Sequence, residues 1–149
     1  MDVEVSRANA NIVWAGSRIT STGRIQVSTN GGISFSPTAD YTEKTMGNIT
    51  KLGSHPTEPN TAYAIFSFRG RPKILRTTNL GGSWQDITGF NSGSVSTNGF
   101  PDVAVYCIYV RPDNPNIIWA GTEIGIVQSL NAGVSWALLD EFPNISVWD

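Results

Sequence analysis

Asp102 and Glu123 are the residues of this chain to which hydrolytic chemistry would first be assigned. Cleaving a glycosidic bond takes two carboxylates flanking it, about 5 Å apart for an acid with a nucleophile or roughly 6.5–9.5 Å apart for an acid with a base. These two form the one pair worth testing for that role. Aromatic and cationic residues stand in neighbouring loop segments: Tyr41, Phe68, Arg69, Arg71 and Phe100. Ring faces with scattered polar groups suit a carbohydrate or a peptide ligand. Neither acid belongs to a catalytic motif, and loop aromatics also serve simply to cover the ends of packed elements.

Other chemistry finds less support. The single cysteine, Cys107, excludes an internal disulfide and lies in the apolar run 103–110, where a buried, inert thiol is expected. The single histidine, His55, precedes Pro56 in a turn. Arg69-Gly70-Arg71-Pro72-Lys73 reads as a solvated loop, and Glu43-Lys44 and Asp140-Glu141 as surface charge. Asn48-Ile49-Thr50 and Asn144-Ile145-Ser146 fit the glycosylation pattern, which is short enough to recur by chance. No zinc spacing, phosphate loop, dinucleotide fingerprint or nucleophile elbow is written in the sequence, so no metal and no cofactor is expected. A net charge of −2 leaves no footprint for nucleic acid or anionic lipid, and no apolar run approaches membrane-spanning length. The opening Met1-Asp2-Val3-Glu4-Val5 reads as the inside of a strand rather than a signal peptide, which suggests a segment excised from a longer chain.

These side chains need elements to hold them, and the chain writes its elements three times. Ser28-Thr29-Asn30-Gly31-Gly32-Ile33-Ser34-Phe35, Thr77-Thr78-Asn79-Leu80-Gly81-Gly82-Ser83-Trp84 and Ser129-Leu130-Asn131-Ala132-Gly133-Val134-Ser135-Trp136 share a hydroxyl, an Asn, a Gly, a second hydroxyl and an aromatic at fixed offsets. Recurrence at this period marks a repeat array. Each box follows a second recurring run, Asn11-Ile12-Val13-Trp14-Ala15-Gly16, Asn60-Thr61-Ala62-Tyr63-Ala64-Ile65 and Asn116-Ile117-Ile118-Trp119-Ala120-Gly121. Short β-branched and aromatic runs bounded by Pro and Asn turns read as strands.

Four strands per repeat follow. Strand A covers 3–6, 49–53 and 103–110, and strand B is the Trp/Tyr-Ala run. Strand C covers 24–28, 73–77 and 125–129, and strand D covers 34–35, 83–87 and 135–139. The box is a tight C–D hairpin: Asn bonds the backbone two residues on, Gly supplies positive φ, and the closing ring packs beneath. In the third repeat, strand A is apolar on both alternations, Val105, Cys107 and Tyr109 against Ala104, Tyr106 and Ile108. A strand buried on both faces needs sheets stacked on either side. The expected fold is all-β: radial, four-stranded antiparallel blades of a β-propeller. The chain is a single partial propeller over 1–149, with blades at about 1–41, 48–90 and 103–140, and 142–149 starting another.

The boxes resemble the Asp-box (BNR) repeat of β-propeller proteins, Ser/Thr-x-Asp-x-Gly-x-Thr/Ser-Trp/Phe. The run Asn114-Pro115-Asn116-Ile117-Ile118-Trp119-Ala120-Gly121-Thr122 looks most like sortilin/Vps10-like and xyloglucanase-like propellers. All three boxes carry Asn (Asn30, Asn79, Asn131) where that family usually has Asp. The resemblance implies structural roles for Ser28, Asn30, Gly32 and Phe35, for Thr77, Asn79, Gly81 and Trp84, and for Ser129, Asn131, Gly133 and Trp136, away from the ligand face. It also implies a secreted or extracellular protein. Its members include glycoside hydrolases, sialidases, sorting receptors and photosystem assembly factors, so it constrains fold more than activity.

Propellers close with about four to eight blades. The missing ones would come from the remainder of a parent protein or from a second copy. Antiparallel blades put the A–B turns and boxes at one rim. The other rim carries the B–C loops (17–23, 68–72, 123–125) and D–A loops (40–47, 89–102, 140–143), whose variety is where binding groups are usually carried. The expected function is a non-catalytic binding or scaffold segment of a larger secreted propeller protein, recognising carbohydrate or peptide. A glycoside hydrolase fragment acting on β-glucans such as xyloglucan, and a sorting-receptor-like peptide binder, are the alternatives.

Overall fold

The computed structural model describes residues 1–19 and 24–149, so most of the expected loop 17–23 lies outside the described residues. Among the described residues, twelve strands form three antiparallel sheets of four, each ordered as its strands follow in the chain. The first holds β1 (Asp2–Val5), β2 (Val13–Gly16), β3 (Gln26–Ser28) and β4 (Ser36–Pro37). The second holds β5 (Lys51–Ser54), β6 (Ala62–Ile65), β7 (Ile74–Thr77) and β8 (Gln85–Asp86), and the third β9 (Val105–Val110), β10 (Ile118–Thr122), β11 (Gly125–Ser129) and β12 (Ala137–Leu138). No helix occurs among the described residues.

Each box closes the hairpin between the third and fourth strand of its sheet through the same set of bonds. Ser28 Oγ accepts the Gly32 N–H at 2.9 Å and donates to Asn30 Oδ1 at 2.8 Å, while that oxygen also accepts the Ser34 N–H at 3.0 Å. Asn30 Nδ2 donates to Ser34 Oγ at 2.8 Å. Thr77, Asn79 and Ser83 repeat this pattern, as do Ser129, Asn131 and Ser135. The amide therefore fills the turn without a charge: a carboxylate there would accept from the second hydroxyl, whereas Asn donates to it. A further bond ties each box to the turn before the second strand, from Gly31, Leu80 and Ala132 N–H to Asn11, Asn60 and Asn116 O. Boxes and these turns thus share one rim.

Two strand expectations are corrected. The fourth strands are two residues long and begin after the aromatic, so the first is Ser36–Pro37 rather than 34–35. Ser34 N–H is already spent on the box turn, and the chain is free to pair only beyond Phe35. In β9 the strict alternation breaks at a bulge: Cys107 pairs with Gly121 but Val105 with Thr122. Tyr106 is the extra residue, so Val105 joins Val110 in the core and does not share a face with Cys107 and Tyr109.

The core lies in the two seams between sheets. Trp14, Leu52, Ala62, Ala64, Leu75 and Trp84 fill the first seam, and Tyr63, Ile65, Val105, Ile118, Ala120, Val127 and Trp136 the second. Each following box docks on the end of the preceding sheet. Trp84 Nε1 donates to Thr38 Oγ1 at 3.3 Å, and Trp136 Nε1 to Ile87 O at 2.7 Å.

Gly81 sits at that junction with φ +79°, where an added Cβ would stand 2.3 Å from Thr38 Cγ2. Gly81→Ala combines left-handed strain with overpacking, and a loss of about 2–4 kcal/mol is expected from urea unfolding. Gly31→Ala should lose no more than about 1–2 kcal/mol. Its box position is Leu80 and Ala132 in the other two repeats, both already at positive φ.

Candidate functional site

The loop rim opposite the boxes is built around a lysine. Lys73 immediately precedes the third strand of the second sheet and its side chain is 0% exposed, although its neighbours Arg69 and Arg71 lie in a loop. Its Nζ donates to Asp102 Oδ1 at 2.6 Å and to Phe68 O, and stands 5.0 Å from the centre of the Phe90 ring. Asp102 also accepts the Gly70 N–H, at 2.8 Å on one oxygen and 3.0 Å on the other. Burial pushes the Lys73 ammonium below its ordinary pKa, with Asp102 offsetting only part of that cost. At Asp102, burial raises the pKa, but the hydrogen bonds from Lys73 and Gly70 outweigh it and hold the carboxyl below its usual range. Asp102 is thus an ionised anchor for a buried cation.

Lys44 makes a second fastening, donating to Gly70 O at 2.6 Å and to Gly93 O. The expectations of a solvated 69–73 stretch and of free surface charge at Lys44 are corrected accordingly. Both ammonium groups satisfy loop carbonyls that no strand can reach. The signal for Lys73 was its place at the head of an expected strand, where a side chain must choose a packed face. The signal for Lys44 was absent, because its partners lie 26 and 49 residues away.

The long loop 89–102 is a wedge rather than an open flap. Asn98 Nδ2 donates to Ile87 O at 3.0 Å, Ser96 Oγ to Thr88 O at 2.7 Å, and Trp136 N–H to Asn98 O at 2.9 Å. Phe90 is buried, and Phe100 is buried edge-on to Trp136 with ring centres 5.0 Å apart. Phe100 therefore presents no ring face to solvent. Tyr41 is likewise buried, its hydroxyl donating to Glu43 Oε2 at 3.3 Å, and burial with the nearby Asp86 and Glu43 carboxylates raises its pKa far above the phenol range. An aromatic is drawn inward wherever a sheet end needs cover, and sequence does not distinguish that use from display.

Phe68 is the exposed ring of the set, 45% accessible, with one edge against Gly47. Arg69 and Glu123 are exposed and Arg71 half-buried. Glu123 Oε1 accepts the Ala104 N–H at 3.1 Å while its own N–H donates to Ala104 O at 3.2 Å. Both candidate acids are engaged with backbone. His55 Nδ1 accepts the Glu58 N–H at 2.9 Å in its turn, and burial lowers its pKa, so the ring serves as a neutral turn acceptor. Cys107 is half-buried and burial raises its thiol pKa. Among the described residues no cluster of His, Cys, Asp and Glu could hold a metal ion.

A separate cleft of about 370 Å³ opens where the second and third sheets meet near a box, lined by Arg76, Gln85, Asn91, Thr97, Asn98 and Val134 among others. It contains none of the expected catalytic or ligand-binding residues, although the box glycine Gly133 lines it. Asn98 and Gln85 are bonded within the chain there, and Arg76 donates from its terminal nitrogens to Ala132 O at 2.9 Å and to Gln85 Oε1 at 3.4 Å, while its buried Nε finds no partner in the protein.

No family model and no curated protein matches the chain. Solved structures do. An ancestral GH74 enzyme superposes with a TM-score of 0.64 at 24% identity, over 92% of this chain and 18% of that one. The GH74 xyloglucanase from Xanthomonas campestris gives a TM-score of 0.66 at 15% identity, over 96% and 24%. YCF48 bound to D1 peptide gives 0.61 at 17% identity, over 93% and 38%. The chain has a propeller-like fold. Its three sheets are blades stacked side by side, and it spans less than two fifths of the length of each of these neighbours. Identities this low speak to fold alone. The innermost strands of the blades are β1, β5 and β9, which lie next to one another in that order.

Proposed function

We propose that this chain is a non-catalytic, ligand-binding segment of an Asp-box β-propeller, taking a carbohydrate or a peptide at the rim formed by Phe68, Arg69, Arg71 and Glu123. One observation carries the reading: Asp102 is committed to the buried Lys73 ammonium and the Gly70 N–H, while Phe68, whose carbonyl bonds the same ammonium, keeps an exposed ring. An acid that must donate a proton needs a raised pKa, and Asp102 has the opposite. An exposed ring near an exposed guanidinium supplies a stacking face and a directional donor for sugar hydroxyls or peptide carboxylates.

The test is calorimetric titration of the chain with a xyloglucan oligosaccharide and, separately, with an acidic peptide. Saturable binding to one of them, weakened about tenfold or more by Phe68→Ala, is expected, since a central aromatic contact is worth about 1.4 kcal/mol or more. Binding that is absent, or indifferent to Phe68, overturns the reading. The second reading, a piece of a glycoside hydrolase acting on β-glucans, draws support from the likeness to the two GH74 structures. It requires sugar release that disappears in Asp102→Asn or Glu123→Gln.

A further inference from the structure

The chain holds two Asn-Gly pairs, and both are written Ser-Thr-Asn-Gly: Ser28-Thr29-Asn30-Gly31 in the first box and Ser96-Thr97-Asn98-Gly99 in the wedge loop. The second folds as the opening half of a box. Ser96 Oγ accepts the Asn98 N–H at 3.2 Å and the Phe100 N–H at 3.1 Å. Its own proton is shared between Thr88 O at 2.7 Å and Asn98 Oδ1 at 3.0 Å. Ser28 likewise accepts the Asn30 and Gly32 N–H groups and donates to Asn30 Oδ1. There the two turns part. Asn30 commits both ends of its carboxamide to Ser34, whereas the residue four places beyond Asn98 is Asp102, which bonds Lys73 instead. The Asn98 amide nitrogen therefore turns across the seam, donating to Ile87 O at 3.0 Å and Gly133 O at 3.4 Å.

An Asn-Gly pair is open to succinimide formation, because glycine has no Cβ to shield its own nitrogen. That nitrogen loses its proton and attacks the asparagine Cγ. The new C–N bond replaces the bond to the side-chain nitrogen, which leaves as ammonia. Water then opens the five-membered ring at either carbonyl, giving aspartate or isoaspartate with no change of oxidation state. The fold governs the first step, and it treats the two sites differently. Gly31 N–H is held by Asn11 O at 2.8 Å, so the nucleophile in the box is already engaged. Gly99 N–H meets no acceptor among the described residues, and Gly99 is exposed, with φ +89°. Asn30 is the more exposed asparagine of the two, yet its turn is closed at every polar group.

We infer that Asn98-Gly99 is a site of spontaneous covalent modification, attacked by its own backbone and then by water, and that its conversion unfastens the wedge between the second and third blades. An aspartate at 98 sets an acceptor where Ile87 O and Gly133 O now receive a donor, and like partial charges then face one another. Ile87 O keeps the Trp136 indole as its donor, so the seam loosens without losing that bond. Isoaspartate goes further, because the main chain then runs through the former side chain and gains a methylene. The α-carbonyl that accepts the Trp136 N–H becomes a free carboxylate, and Phe100 is displaced from the Trp136 ring. Asp102, which anchors Lys73, lies four residues on, so the change reaches the loop rim. The inference needs no ligand at that rim and stands apart from the reading above.

Peptide mapping by mass spectrometry of the folded protein, held in warm, mildly alkaline buffer, tests the site. Aspartate and isoaspartate should accumulate at Asn98 about fivefold or more faster than at Asn30, the rate equivalent of one hydrogen bond of about 1 kcal/mol withheld from the nucleophile. In urea only the shared Ser-Thr-Asn-Gly sequence remains, and the two sites should convert at like rates. Conversion at Asn30 as fast as at Asn98 in the folded protein overturns the inference. So does a ratio that persists in urea, or an Asn98 still intact when the urea sample has converted fully. Unfastening is read by hydrogen exchange at the Trp136 amide, expected to be several times faster in the converted fraction of the aged protein and in Asn98→Asp. The Gly81 amide, in the other seam, should be unchanged. A Trp136 amide as protected after conversion as before overturns the unfastening, and the aged protein decides this even if Asn98→Asp does not fold.

Discussion

Trp136→Ala is expected to lower the unfolding free energy by about 3–5 kcal/mol, whereas Phe35→Ala, at the same box position, should cost under about 1 kcal/mol. Trp136 is buried between blades, edge-on to Phe100, and its indole N–H donates to Ile87 O. Ile87 O keeps a second donor in Asn98 Nδ2, so the loss is chiefly one of packing and of the wedge that Phe100 helps to form. Trp136→Phe, which keeps a ring and removes the donor, should cost about 1 kcal/mol from the hydrogen bond, plus whatever void the smaller ring leaves. Urea unfolding of the three variants checks the series. Equal costs for Trp136→Ala and Phe35→Ala would mean that the box ring serves its own hairpin and not the seam.

Asp102→Ala should cost about 2–3 kcal/mol, below the full penalty for breaking a buried ion pair because water reaches the carboxylate. The Lys73 ammonium would be left with the Phe68 carbonyl and the Phe90 ring as its remaining side-chain contacts. Lys73→Met removes the buried charge itself and should cost less. The pH dependence separates an electrostatic from a steric cause. The folded Asp102 pKa lies below its unfolded value, so its stabilisation is complete above the unfolded carboxylate pKa and is lost as pH falls through the folded one. Acid unfolding of Asp102→Ala should lack that step. Lys73 has its folded pKa depressed by burial, so folding sheds its proton more readily as pH rises toward the lysine range. The variant should therefore regain stability in alkaline solution relative to neutral. A flat profile would show that the carboxylate merely fills space.

The boxes were legible because their bonds are local. Ser28, Asn30, Gly32 and Ser34 satisfy one another within seven residues, so residue type and spacing carry the whole geometry, three times over. The left-handed backbone at Leu80 and Ala132 was not legible, since Gly occupies that position in the first box alone. The ring bearers of the loop rim divided against expectation for a related reason. Phe68, Phe100 and Tyr41 look alike in sequence, and only the position of the neighbouring blade decides which ring is drawn inward.

By itself, then, the chain's sequence determined the repeat, the all-β class, the hairpin chemistry and the common rim of boxes and turns, because each depends on contacts within one repeat. The tertiary structure decided what lies between repeats. It tied Asp102 to Lys73, sank Phe100 beneath Trp136 and moved Val105 across the β9 bulge. Those outcomes turn on which side chains meet across a seam, at separations of tens of residues. No local pattern encodes that meeting, because burial is a property of the space between sheets and not of the strand that enters it.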